Sequence, residues 1–352
     1  MKSTKYINVI SGKGGTGKTL LCTILADLLG NQDIQVLIID MDMFVRGLTA
    51  LLYFHKGENL NIANENELTV SDIFYNTKKF SDIENKRLAI HRYRSFDICP
   101  AVSRINQVFD NERNSLFDLK RNEKNFNDLL KLIPRDTYDY IIFDCRSGYD
   151  SLISTVHEKS NFTICVQEED DISDVTANNL IKQLERDSYD KPVFKIINKA
   201  RNIKSINEIG NKKTTGHGMS LLGYIPFDMD VMNSFGEKSF WDDISKSLYK
   251  EALAETWNTL SAKEGLKHTL TYKRFSPFII SQLEKPFSML MTTNRVFAFM
   301  GLILAILGLM YNFIDSEVRY YFQKNPDKLI STVISALGII IFLSSFLIKR
   351  KK

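Results

Sequence analysis

Residues 11–19 read Ser-Gly-Lys-Gly-Gly-Thr-Gly-Lys-Thr, and this stretch decides the fold of the chain. It fits the phosphate-loop pattern G-x-x-x-x-G-K-[ST], with Gly12, Gly17, Lys18 and Thr19 at the fixed positions. Glycines let backbone N–H groups approach phosphates closely, while the lysine neutralises the β/γ oxygens and the threonine hydroxyl ligates magnesium. The residues predicted to contact the nucleotide here are Gly12, Lys13, Gly14, Gly15, Thr16, Gly17, Lys18, Thr19 and Leu20.

The segments on either side of the loop have the right order for such a site. Residues 6–11 form a short β-prone run, and residues 18–29 have the apolar periodicity of a helix. A strand, a glycine loop and a helix N-terminus therefore follow one another, as a phosphate site requires.

Two further strands are predicted to end in carboxylates. The apolar run 36–40 ends at Asp40 and is followed by Asp42, and the run 138–144 ends at Asp144. Ligand sites of parallel α/β sheets form at the carboxyl ends of strands, so these acids point to magnesium and water chemistry beside the loop.

The soluble part of the chain alternates strand and helix signals. This pattern predicts an α/β domain with a doubly wound, mostly parallel sheet over residues 1–265. The other predicted strands are 96–100, 162–167, 193–198 and 221–226, and the other predicted helices are 125–133, 173–186 and 240–261; residues 51–94 read as polar and irregular, with a basic end.

Net charge and cysteine content give no sign of a nucleic-acid partner or of a cysteine metal site. A net charge of +4 over 352 residues is too small to indicate a nucleic-acid partner by itself. The four cysteines are scattered without metal-site spacing, which favours reduced thiols in the cytosol.

Two uncharged apolar runs, 296–314 and 329–348, are each about as long as a bilayer-spanning helix. Residues 266–294 before them read as an amphipathic connector, and the tail 349–352 is basic. A nucleotide site faces the cytosol, and two spans return the C-terminus to the same side, in agreement with the basic tail. We therefore predict that 295–352 is a transmembrane hairpin in the inner membrane of a prokaryote, with both termini cytosolic.

The loop K-G-G-T-G-K-T, the D-x-D strand end and the turn D-C-R-S-G together resemble the MinD/ParA group of P-loop ATPases, over roughly residues 5–260. The resemblance implies that Lys13 is the signature lysine, which reaches the partner's phosphates in an ATP-sandwiched homodimer. It also implies catalytic roles for Lys18 and Asp42, the latter by positioning the attacking water. Magnesium would be held by Thr19, Asp40 and Asp144, partly through water.

The same resemblance assigns other positions. Arg46 and Gly148 would be switch residues, and the base would lie near Asn198, Lys199, Pro226, Phe227 and Asp228. The chain departs from the group at Gly47, where the MinD branch has asparagine, and at 145–147, which differ from the commoner S-P-A. It also has two predicted spans instead of a short amphipathic membrane helix.

These features predict a membrane-anchored switch that binds Mg-ATP, dimerises, and hydrolyses ATP to control assembly or recruitment of an unidentified protein partner. The same prediction allows the dimer to form higher oligomers in the lipid bilayer. A bacterial tyrosine kinase shares the loop, but the tail 349–352 lacks tyrosine and the hairpin comes last. A DNA-binding partition ATPase is the other alternative. This alternative is suggested by a set of basic residues: Lys195, Lys199, Arg201, Lys204, Lys212 and Lys213. A permanent membrane anchor argues against it, because a partition ATPase must diffuse freely over DNA. A targeting ATPase for tail-anchored proteins is disfavoured because the C-x-x-C zinc clasp is missing.

Overall fold

The computed structural model describes residues 4–75, 86–108, 118–186, 191–201 and 219–271. By its internal contacts the chain divides into Met1–Phe275 and Ser276–Lys352, and everything described below belongs to the first unit. The strands are β1 (Lys5–Ser11), β2 (Val36–Asp40), β3 (Glu67–Leu68), β4 (Arg87–Leu88), β5 (His91–Tyr93), β6 (Phe96–Cys99), β7 (Tyr140–Ser147), β8 (Phe162–Glu168), β9 (Val193–Ala200) and β10 (Ser220–Pro226). The helices are α1 (Lys18–Gly30), α2 (Gly47–His55), α3 (Val70–Phe74), α4 (Leu119–Leu132), α5 (Ser151–Lys159), α6 (Asp171–Arg186), α7 (Met229–Ser234), α8 (Phe240–Lys246) and α9 (Leu248–Glu264).

Eight of these strands form one sheet in the order β10-β9-β8-β1-β7-β2-β6-β5. Neighbouring strands are parallel except β5 and β6, which are antiparallel. The central strands are continuous apolar runs because helices cover both faces of the sheet; every residue of β2, for example, is buried. The predicted mostly parallel α/β fold is confirmed.

The two faces of the sheet carry separate apolar cores. One core packs α1 and α9 against the sheet, with Trp257 among its largest buried side chains. The other packs α4, α5 and α6 against the opposite face, around Phe126 and Phe143. The carboxyl ends of β1, β2 and β7 meet at one edge between these layers, and this edge carries the loop and both strand-end aspartates.

The sequence patterns missed some local structure. Residues 51–94 are not wholly irregular, because they contain most of α2 together with β3, α3, β4 and β5. The predicted helix 240–261 is two helices, α8 and α9, which separate at Ser247 in an extended conformation. Its hydroxyl accepts a hydrogen bond from the N–H of Tyr249 and so caps α9, which explains the break.

The residues after α9 continue along this domain. Leu270 is buried in the core, and its N–H and carbonyl both bond the side chain of Asn258. No helix in the described ranges is both long and apolar enough to cross a bilayer. The predicted spans 296–314 and 329–348, and the predicted connector beyond residue 271, lie outside the described residues and stay predictions.

Candidate nucleotide-binding site

The glycine loop joins the end of β1 to the start of α1, and its glycines are required by backbone conformation and by close packing. Gly15 and Gly17 have positive φ angles of 81° and 86°, which side chains disfavour. A Cβ on Gly12 would lie 2.3 Å from the carbonyl carbon of Thr176, in the backbone of α6. The loop therefore packs directly on α6 and leaves its outer face open.

The side chain of Lys18 folds back over this loop. Its Nζ donates to Ser11 Oγ and to Ser147 Oγ, both at 2.9 Å. Ser11 Oγ in turn donates to the Lys13 carbonyl at 2.7 Å. Two serine hydroxyls from the ends of β1 and β7 thus hold the ammonium where phosphate oxygens of a nucleotide would replace them.

Thr19 and the two strand-end aspartates lie together beside the loop. Thr19 Oγ1 donates to Asp144 Oδ2 at 2.6 Å. Asp40 and Asp144 are direct neighbours in the pairing of β2 with β7. Burial, opposed by the charge of Lys18, raises the pKa of Asp144 to about 6.

Asp40 is completely buried and is bonded locally. Its Oδ2 accepts from the N–H and the hydroxyl of Thr49 at 2.9 and 2.8 Å. Burial and then the charge of Asp144 raise the pKa of Asp40 to about 8. Two carboxylates this close repel one another, so a cation between them relieves the repulsion.

The donors present fit magnesium. A hydroxyl and carboxylates are hard oxygen ligands, and Mg²⁺ is commonly held by one or two carboxylates with water and substrate phosphates completing the shell. Within the described ranges no three His, Cys, Asp or Glu side chains are grouped as a ready-made metal site. Thr19, Asp144 and Asp40 are therefore suited to hold magnesium, and how each would contact the ion stays a prediction.

The loop after β2 is held from both ends. Asp42 Oδ1 accepts from the N–H groups of Phe44 and Val45 at 3.3 and 3.0 Å. Arg46 donates to the carbonyls of Met43 and Ile105, both at 2.7 Å, and to the carbonyl of Gln107. This arginine therefore ties the loop that carries Asp42 to the segment after β6.

Gly47, where the chain departs from the MinD branch, lies close to Thr19. A Cβ at this position would lie 3.0 Å from Thr19 Cγ2 and 3.1 Å from Thr19 Oγ1. Glycine therefore leaves space for the Thr19 hydroxyl, and an asparagine would require one of the two residues to move.

The segment after β7 contacts the same loop. Gly148 has a φ of 85°, and its N–H donates to the Ser11 carbonyl at 2.9 Å. Arg146 pairs with Asp150 and lies 5.8 Å from the ring centroid of Phe44. The two predicted switch segments are thus in contact with each other and with the phosphate loop.

Lys13 is held within its own subunit. Its Nζ lies 2.8 Å from Glu168 Oε2 and 2.9 Å from Asp170 Oδ2, at the end of β8. These two hydrogen bonds raise the pKa of Lys13. The Lys13 side chain is 28% exposed in this position.

The predicted base-binding residues fall into two groups. Asn198 is completely buried beneath the loop and donates to the Thr16 carbonyl at 2.8 Å, while Lys199 pairs with Glu168 at 2.7 Å. Pro226 ends β10, and Asp228 caps α7 by accepting from the N–H groups of residues 230 and 231. The Phe227 side chain is exposed. Contact of any of these residues with adenine stays a prediction, and so does the contact of Leu20, whose side chain belongs to the core.

Sequence reasoning missed the residues that hold the two loop lysines. Ser11 and Ser147 bond Lys18, and Glu168 and Asp170 bond Lys13. The acidic run 168–171 directly after a predicted strand was the available signal, because strand ends meet at this edge of the sheet. Of the basic residues considered for DNA, Lys195 pairs with Asp174 at 2.7 Å, and Lys204, Lys212 and Lys213 lie outside the described residues.

The chain is similar in sequence to known proteins. The family model of an AAA domain matches residues 4–203. A chloroplastic septum site-determining protein minD homolog of Arabidopsis thaliana is 24% identical over 242 residues, which are 66% of this chain and 67% of that protein.

Two solved structures share the fold. One is a putative plasmid partition protein of Borrelia burgdorferi B31 bound to AMPPNP, with a TM-score of 0.54 and 20% identity, covering 74% of this chain and 100% of that one. The other is the septum site-determining protein MinD of Pyrococcus horikoshii OT3 with Mg-ADP, with a TM-score of 0.54 and 19% identity, covering 76% and 100%. The predicted MinD/ParA-type P-loop fold is confirmed.

Proposed function

The chain belongs to the AAA domain family, and from this premise we propose that it binds Mg-ATP, pairs with a second copy across the nucleotide, and hydrolyses ATP as a switch. The observation that carries the proposal is the convergence of Lys18, Thr19 and Asp144 on one open loop. These are the groups that phosphoryl chemistry needs, a fixed cation for the β/γ oxygens and a hydroxyl–carboxylate pair for the metal. The nucleotides held by the two similar structures, AMPPNP and Mg-ADP, support the choice of ligand.

Each residue has a separate part in this mechanism. The ammonium of Lys18 leaves Ser11 and Ser147 and binds phosphate oxygens, while the backbone N–H groups of the loop surround them. Thr19, Asp40 and Asp144 would hold Mg²⁺, which would supply positive charge to the transferred phosphoryl group. Asp42, which follows β2, orients the attacking water, and Lys13 of the partner subunit stabilises the transition state.

A second copy is the proposed source of that last charge because the rim of the site is apolar and exposed. Four exposed apolar side chains lie on segments that contact the loop region, with 80%, 37%, 70% and 57% of their surfaces exposed: Val45, Tyr149, Ile172 and Val175. Exposed apolar side chains grouped around a charged site are typical of a protein interface. Pairing through this rim would bury the nucleotide and bring Lys13 to the partner's phosphates.

The predicted hairpin restricts what the switch can do. Two spans do not leave the membrane reversibly, so ATP turnover would change pairing and partner recruitment at the cytosolic face and not membrane attachment. The relatives named as septum site-determining and partition proteins support a role in positioning or assembly.

The test is ATP turnover by the purified full-length chain with Mg²⁺. We expect slow hydrolysis by the wild-type protein. Lys18→Ala should abolish hydrolysis because ATP no longer binds, whereas Lys13→Ala should abolish hydrolysis while ATP still binds. Unchanged turnover and unchanged nucleotide-dependent dimers in Lys13→Ala would show that the dimer mechanism is wrong. Phosphotyrosine on the protein after incubation with ATP would favour the tyrosine-kinase alternative instead, and salt-sensitive retention on DNA would favour the partition alternative.

A further inference from the structure

The ion pairs of Lys13 conflict with the role that the proposed function gives it. Lys13 Nζ lies between Glu168 Oε2 at 2.8 Å and Asp170 Oδ2 at 2.9 Å, and both acids belong to the same subunit. A lysine that must reach the partner's phosphates has to leave both carboxylates first. The unpaired subunit therefore holds Lys13 away from the site on which the lysine is proposed to act.

The two acids do not become unpaired buried charges when Lys13 leaves. Glu168 keeps Lys199, whose Nζ lies 2.7 Å from Glu168 Oε1. Asp170 is a surface residue with 39% of its side chain exposed, and its Oδ1 still accepts from the N–H of Ser173 at 2.8 Å. When Lys13 leaves, neither carboxylate is therefore left buried without a partner. The contact can open and close because opening it does not carry the cost of an unpaired buried charge.

The location of the contact links it to pairing. Asp170 immediately precedes α6, and the exposed apolar residues Ile172 and Val175 lie on the first turns of that helix. A second copy that covers this apolar rim would come within reach of Lys13, and its nucleotide phosphates would compete with the two carboxylates for the ammonium.

We propose that Glu168 and Asp170 form an autoinhibitory latch that holds Lys13 in its own subunit and opposes pairing until a partner's nucleotide captures the lysine. The inference rests on the proposed function, since it assumes that Lys13 acts in trans. The latch is weak by construction, because ion pairs at the protein surface contribute little and are screened by salt. It weakens pairing without preventing it.

Asp170→Asn is the variant that tests the latch. Asparagine caps a helix as well as aspartate does, so the bond to Ser173 is kept while the charge that holds Lys13 is removed. We expect the dimer dissociation constant in Mg-ATP to fall about threefold for each latch released, and therefore about tenfold for a dimer in which both subunits open. The gap between wild type and variant should narrow as salt is raised from about 50 to about 500 mM, because the latch is electrostatic.

The matched control is Asp174→Asn. It removes a similar ion pair, to Lys195 at 2.7 Å, one turn further along α6. Both variants are compared as full-length chains in mild detergent by sedimentation with Mg-ATP. The control should pair as wild type does.

A second measurement detects the latch without any dimer. Acetylation of Lys13 by acetic anhydride in the nucleotide-free protein, followed by mass spectrometry, should be about threefold faster in Asp170→Asn than in wild type or the control, because the ammonium loses a hydrogen-bond partner. An unchanged rate at Lys13 would overturn the latch directly. Faster acetylation with unchanged dimer affinity would leave ATP-dependent pairing intact and reject the inhibitory role. Absence of Mg-ATP-dependent dimers in all three proteins, with faster acetylation, would instead reject the proposed function, and the inhibitory role with it.

Discussion

Replacing Asp40 with asparagine is expected to change how the stability of the nucleotide-free protein depends on pH. Asp40 is fully buried, and its pKa is raised from 3.8 to about 8 by burial and by the charge of Asp144. Between about pH 5 and about pH 7 the folded protein therefore holds a proton at this carboxyl that the unfolded chain has released.

The sign follows from proton linkage. Because the folded state binds the extra proton, the free energy of unfolding falls as pH rises, by ~1.4 kcal/mol per pH unit for one such group. From about pH 5 to about pH 7 this amounts to ~2.7 kcal/mol, a large share of the 5–15 kcal/mol that is typical of total stability at about 25 °C. The stabilisation is complete below the unfolded pKa and is lost as pH rises through about 8.

Asp40→Asn should remove this dependence. The amide keeps an oxygen for the two donors of Thr49, which lie 2.9 and 2.8 Å from Asp40 Oδ2, so the variant is expected to fold. The assay is urea denaturation of the full-length protein in mild detergent with EDTA at three pH values. The difference in unfolding free energy between variant and wild type should grow by ~1.4 kcal/mol per pH unit as pH rises. Groups common to both proteins, such as His91, whose pKa burial lowers, cancel in this difference.

The control for this prediction is Asp174→Asn. The hydrogen bond from Lys195 is the largest of the effects that lower the pKa of Asp174, so this carboxyl is ionised in both folded and unfolded states over the range tested. Its difference from wild type should be constant with pH. Parallel curves for wild type and Asp40→Asn, within ~0.5 kcal/mol, would refute the reasoning about the buried acid pair.

Two further substitutions test the packing of the glycine loop and the contact between Gly47 and Thr19. Gly12→Ala should destabilise the protein by about 1–3 kcal/mol, because its Cβ would lie 2.3 Å from the α6 backbone. Gly14→Ala, whose Cβ would meet only Ser147 Oγ at 3.9 Å, should change unfolding by less than ~0.5 kcal/mol, and equal losses would contradict the packing argument. Gly47→Asn should weaken Mg-dependent ATP binding about tenfold, since its side chain would press on Thr19 3.0 Å away, while binding in EDTA changes little. The control is Gly57→Asn, where no atom lies within 4 Å of an added Cβ, and a matching loss there would show that the contact with Thr19 is unimportant.

Much of the site could be predicted because its chemistry depends on local order in the sequence. A strand, glycines at fixed positions and a helix start are all adjacent in the chain, and Asp40 and Asp144 each end an apolar run. The carboxyl ends of parallel strands meet at one edge, so these separate segments could be placed together without a structure.

What could not be predicted depends on contacts between distant segments. Nothing near Lys13 in sequence shows that its ammonium meets Glu168, 155 positions away, or that Gly12 packs on the backbone of Thr176. The break between α8 and α9 was missed because Ser247 reads as an ordinary helix residue until its cap and its bond to Asp228 are seen. Helix α2 was missed for a related reason, since it begins at Gly47 after a left-handed Arg46 that is held by distant carbonyls.

The most direct test of the account is complementation between two inactive variants, because the central claim is that Lys13 acts across a dimer. Lys13→Ala lacks the trans lysine, and Asp42→Asn lacks the residue proposed to orient water in its own site, so each alone should hydrolyse almost no ATP. In an equal mixture half of the dimers are mixed, and each mixed dimer has one complete site of two, so turnover should recover to about a quarter of the wild-type value. No recovery, in variants that both still bind Mg-ATP and form mixed dimers, would contradict the claim that Lys13 serves the partner's nucleotide.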